Sequence, residues 1–87
     1  MNTHQYAVAK KSTNGYPAGA VFKLLKEPNG TVIAFKQNFA TSKLTNKLIG
    51  VSIGQYFTYT AESAQRIFTK PVDDIVEAVA ESFVITE

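Results

Sequence analysis

Residues 4–10, HQYAVAK, alternate: Tyr6 and Val8 fall on one side, and Gln5, Ala7 and Ala9 on the other. A period of two predicts a half-buried strand. The clearest signal follows at AVFKLLKEPNGTVIAFKQNF, where strand-like runs Ala20–Lys26 and Thr31–Phe39 flank EPNG. Pro28 presets φ for the second position of a type I turn, Asn29 tolerates the third, and Gly30 closes a bulged hairpin. That turn sets Glu27 opposite Thr31, Leu25 opposite Ile33 and Lys23 opposite Phe35. The hairpin is apolar on both faces, with Leu25, Ile33 and Phe35 on one and Phe22, Leu24, Val32 and Ala34 on the other. Between the first two strands lies KSTNGYPAG, Lys11 to Gly19. A strand follows its glycines, so it lacks the helix N-terminus that strengthens an anion cradle. Asn14–Gly15 supply left-handed turn positions, and Tyr16 before Pro17 forces an extended exit.

Residues 41–50, TSKLTNKLIG, predict a short helix. Thr41 or Ser42 would cap it, Leu44 and Leu48 share a face, and Gly50 supplies the stop. SIGQYFTYT alternates again, with Ile53, Gln55, Phe57 and Tyr59 on one face and Gly54, Tyr56 and Thr58 on the other. Thr60 caps a helix over AESAQRIFTK whose inner face is Ala61, Ala64, Ile67 and Phe68. Pro71 ends that helix and opens the next as its first residue, with Asp73 and Asp74 in the first turn. Val72, Val76, Val79 and Phe83 then follow the i, i+4, i+7, i+11 spacing of a buried stripe, with Ile75 beside it. The tail FVITE reads as a last helical turn or a short closing strand. The order of elements predicts one α+β domain over residues 1–87, a small antiparallel sheet of three to four strands with two to three helices packed on one face.

Composition narrows the class. The 87 residues are 45% apolar and 18% charged, as in an ordinary globular chain. A domain this small buries about 60–65% of its unfolded surface, and oligomerisation is a common remedy. Cysteine is absent, which removes disulfides, thiolate nucleophiles and cysteine zinc sites together. Apolar runs are far too short for a signal peptide or a membrane helix, so a cytoplasmic protein is expected. Net charge is +2, but residues 1–47 carry seven lysines against one acid, and residues 48–87 carry Arg66 and Lys70 against six acids. The halves are thus +6 and −4, which reads as a solvated basic sheet and an acidic helix.

Catalytic chemistry finds little footing. His4 is the single histidine and lies by the terminus, with nothing to bring Ser12 or Ser63 to it. Asp74 and Glu77 can share a helix face, but no third metal ligand is in view. Neither GxxxxGK[ST] nor GxGxxG precedes a helix. No catalytic, metal or cofactor site is assigned, and no enzyme is expected.

Residues 22–43, FKLLKEPNGTVIAFKQNFATSK, resemble the strand–turn–strand–helix unit of the small bacterial YegP-like family. Phe22, Leu24, Lys26, Asn29, Gly30, Val32, Ile33, Phe39, Ser42 and Lys43 carry the likeness. It implies a ββα unit with Ser42 and Lys43 at a helix start; the family has no assigned reaction, so the likeness says nothing about chemistry. The longer opening loop and a second half that does not repeat the unit depart from the pattern.

The remaining expectation is a non-enzymatic protein-binding module. It suits a bacterial or phage accessory protein that modulates a larger one, and a homodimer is the simplest assembly. Helices on one face would leave Phe22, Leu24 and Tyr56 exposed on the other. The partner-binding candidates are Lys11, Tyr16, Phe22, Lys23, Leu24, Lys36 and Tyr56. Lys11 and Tyr16 enter because their loop is long for a hairpin. The alternative is a weak single-stranded nucleic-acid binder, lysines gripping phosphates and Tyr56 stacking on a base.

Overall fold

The computed structural model describes residues 5–85, apart from the Ile53 side chain. His4 and the final Thr86–Glu87 of the tail lie outside this range. Four antiparallel strands are ordered as they occur in the chain: β1 Gln5–Val8, β2 Val21–Lys26, β3 Val32–Thr41 and β4 Leu48–Tyr59. The helices are α1 Ala61–Ile67 and α2 Ile75–Ser82.

The EPNG hairpin has the register its turn dictates: Leu25 faces Ile33, and Lys23 faces Phe35. The Glu27 N–H donates to the Thr31 carbonyl at 2.8 Å, and the Gly30 N–H to the Glu27 carbonyl at 2.9 Å.

The helix expected over residues 41–50 does not form. β3 runs on to Thr41 and pairs with Leu48, so the two strands make a ribbon closed by a Ser42–Lys47 loop. The helical signal survives as one turn, in which the Asn46 N–H donates to the Ser42 carbonyl at 2.8 Å and Asn46 takes a left-handed φ of 56°. A helix here needed somewhere to bury Leu44 and Leu48. Leu44 is instead 97% exposed at the ribbon tip, and cross-strand hydrogen bonding outweighs a weak local propensity.

The helices do not share a face of the sheet. Ala7, Phe22, Leu24, Val32, Ala34 and Tyr59 pack with Ala64 and Phe68, on or just beyond α1. Val8 and Val21, the immediate neighbours of Ala7 and Phe22, pack instead with Ala78 of α2. Successive strand side chains point to opposite faces, so α1 covers one face and α2 the other. The connection explains how. After α1 the chain runs along the free edge of β1, where Phe68 bridges Ala9 and Val72 bridges Tyr6. The Thr69 N–H donates to the Val8 carbonyl at 2.9 Å, and the Val8 N–H donates to Thr69 Oγ1 at 3.0 Å. This edge segment crosses between the faces and protects an otherwise open strand.

Two helix assignments shift as a result. α1 ends at Ile67, before Pro71, because Phe68 already belongs to the edge segment. Pro71 lies in that segment and does not open α2; Asp74 caps α2, its carboxylate accepting from the Val76 N–H at 2.9 Å. The buried line of α2 is Ile75 and Ala78, while Val76 and Phe83 of the expected stripe are 53% and 83% exposed. The apolar stripe exists, but the sheet takes the neighbouring side of the helix.

Candidate functional site

Registers bring four side chains into one row across the sheet. Tyr6 pairs with Lys23, Lys23 with Phe35, and Phe35 with Tyr56. Leu25, Ile33 and Thr58 form the next row on the same face. α2 lies over the Val8 and Val21 end of this face, where Tyr6 packs against the same cluster, and the rows run on from there to exposed Tyr56 and Thr58. Tyr56 is 61% exposed with its ring 6.0 Å from that of Phe35. Leu25, Ile33 and Phe35 are half-buried on this side, and Tyr56 is the exposed apolar side chain of the rows.

This reverses one sequence expectation. Phe22 is 0% exposed and Leu24 is buried, both under α1 and the Phe68 ring, which meets Phe22 edge-on at 5.2 Å. Neither can reach a partner in this fold. Tyr56 does point away from Phe57 and Tyr59, as the alternation requires, and joins Lys23. Lys36 and Tyr16 belong to the opposite face, so the seven candidate residues do not form one patch. Lys11 is exposed in the loop.

That loop folds back onto the sheet. Thr13 and Tyr16 exchange two backbone hydrogen bonds, each 2.9 Å, around Asn14 (φ 49°) and Gly15 (φ 85°). Positive φ at both central residues is the two-residue turn that Asn-Gly favours. Asn14 Nδ2 donates to the Tyr59 hydroxyl at 2.7 Å, and Thr13 Oγ1 lies 2.9 Å from the same oxygen. Tyr16 packs edge-on against Phe22 and Phe57. The Lys36 ammonium sits 5.5 Å from the Tyr16 ring centre and donates to the Gln37 carbonyl at 2.7 Å. Burial lowers the Lys36 pKa.

A second exposed surface was not anticipated. The β3–β4 ribbon beyond residue 37 displays Phe39, Leu44, Ile49 and Val51, flanked by exposed Lys43 and Lys47. α2 and the residues after it display Val76, Phe83 and Val84, with exposed Asp73, Asp74 and Glu77 at the start of the helix. Reading residues 41–50 as a helix concealed the ribbon; the strand-like run TVIAFKQNFAT, continued two residues, was the available signal.

Among the described residues, no group of histidines and carboxylates could hold a metal ion, and no helix is long and apolar enough to cross a membrane. No family model, curated protein or solved structure matches the chain.

Proposed function

We propose that the protein is a non-enzymatic binding module that acts by association, and that its first partner is a second copy of itself. One observation carries the reading: among the described residues, every exposed large apolar side chain but Tyr56 lies on a basic ribbon, with Ile49 and Val51 on one of its faces and Phe39 on the other, or on an acidic helix and the residues after it. Exposed apolar patches mark association surfaces, and opposite charge beside them sets orientation. The ribbon of one protomer then lies on α2 of its partner, and two-fold symmetry lets both contacts form at once. Light scattering at micromolar concentration should give a mass near twice 9.5 kDa. The Lys43→Glu/Lys47→Glu variant should be monomeric, and adding Asp73→Lys/Glu77→Lys, which leaves the Asp74 cap in place, should restore the dimer. A parent that stays monomeric on concentration sinks self-association.

A second reading rests on the row Tyr6, Lys23, Phe35, Tyr56. Rings and a cation aligned across a sheet face, with Tyr56 exposed at one end, suit a single-stranded nucleic acid. Anisotropy of a labelled oligothymidylate should then show binding that weakens steeply with salt. Tyr56→Ala should cost about 1–3 kcal/mol of that binding while leaving the domain folded. No binding at low salt removes this reading; unfolding of Tyr56→Ala would mean that Tyr56 belongs to the core.

A further inference from the structure

On the face covered by α1, a cleft of about 490 Å³ opens between α1, the edge segment and the first three strands. That volume is in the range of small-molecule sites. Its floor is apolar: Leu24, Val32, Ala64 and Phe68. Its charged lining residues are Lys10, Lys26 and Lys70, and no carboxylate lines it among the described residues. Lys26 follows Phe22 and Leu24 at the period of two, so the strand itself directs it to this face. The Lys10 ammonium is held against the wall by the Gln65 carbonyl of α1 at 3.2 Å. Lys26 and Lys70 make no ion pair among the described residues. The Asp73 carboxylate accepts from the side chain of Gln5, a lining residue, at 3.2 Å. Thr69 Oγ1 accepts from the Val8 N–H, which leaves its own proton to donate.

We infer that this cleft binds a small amphipathic anion, an apolar chain or ring bearing one carboxylate. The apolar body lies on Leu24, Val32 and Phe68, and the carboxylate meets Lys26 and Lys70 at the mouth. Each half of the ligand answers a feature of the cleft: apolar area removed from water, and two cations that gain a charge-assisted partner. The site is on the opposite face from the Tyr6–Tyr56 row and apart from the ribbon, so it stands or falls independently of the association reading.

Octanoate, octanol and octylammonium titrated into the 15N-labelled protein test the inference. Octanoate should shift the amide resonances of Leu24, Gln65, Thr69 and Lys70, and saturate them. Octanol should bind at least about tenfold more weakly, the factor that even one of the two charge-assisted contacts represents, and octylammonium more weakly still. Lys26→Gln/Lys70→Gln, both at exposed positions, should remove the preference for octanoate over octanol while the melting temperature stays near that of the parent. Ala61→Trp, at the cleft lining, should block all three ligands. Equal binding of octanoate and octanol, an unchanged preference in the lysine variant, shifts confined to other surfaces, or no saturable shift with octanoate would each overturn it.

Discussion

Tyr59 shows how one polar atom can organise a loop. Its ring is buried edge-on against Phe68 at 5.1 Å, and its hydroxyl meets Thr13 and Asn14. Tyr59→Phe keeps the ring and removes the tether, so denaturant unfolding should show a loss of about 1 kcal/mol. Lys36 offers a pH test. Burial lowers its pKa in the folded protein below the ordinary 10.5, so the unfolded chain binds more protons at this position. Stability contributed here is lowest where Lys36 is charged in both states, and it rises as pH climbs toward 10.5. The stability difference between Lys36→Met and the parent should therefore move in the parent's favour over that rise, as melting curves at successive pH values would show. A difference that stays flat with pH would remove the burial argument. Gln37 is the residue that sequence reading would place outside. It is 1% exposed, and its Nε2 donates to the Phe35 carbonyl at 3.1 Å and to Ser52 Oγ at 2.9 Å. It lies inside because α2 crosses this end of the sheet: a Cβ on Gly50 would collide with both Gln37 and Ile75.

The elements with strong local chemistry formed where their residues required. The EPNG register, the Thr60 cap and the Asn14–Gly15 turn all rest on neighbours within a few positions. Thr60 Oγ1 accepts from the Ser63 N–H at 3.1 Å, and Asp74 does the same for α2. Thr60→Ala and Asp74→Ala should each lower stability by about 1 kcal/mol in denaturant melts. Elements with weak local chemistry went elsewhere. Residues 41–50 satisfied a cap, a spacing and a stop for a helix, yet β3 and β4 continued past them as 10- and 12-residue strands. A strand-pairing partner is a long-range fact that a ten-residue window does not contain. The helix start expected at Ser42 and Lys43 has the same limit: in the fold these residues are the hairpin loop.

At the scale of the molecule, the decisive feature is the edge segment that carries the chain from one sheet face to the other. It splits the core into a larger cluster under α1 and a smaller one under α2. Phe68 belongs to the larger one, and Phe68→Ala should cost about 3–5 kcal/mol. The smaller cluster leaves part of its sheet face, one side of α2 and the ribbon open. If these surfaces meet in a dimer, folding is linked to assembly. The melting temperature should then rise with protein concentration, and the rise should vanish in Lys43→Glu/Lys47→Glu. A melting temperature independent of concentration would argue against the linkage.

By itself the sequence determined the class, an α+β domain with an antiparallel sheet, because alternation, turn chemistry and capping are local and strong at Ala20–Phe39 and at Thr60. It also determined which side chains share a strand face, since that follows from a period of two. Only the tertiary structure decided which face is buried and by what. Phe22 and Phe35 are equally apolar neighbours in the hairpin, and nothing near them in the chain says which one a distant Phe68 will cover. The side of α2 that meets the sheet, the burial of Gln37, and the gathering of Lys10, Lys26 and Lys70 around one cleft depend on the same thing. Each is set by where the chain crosses the edge of β1, a contact between residues some sixty positions apart.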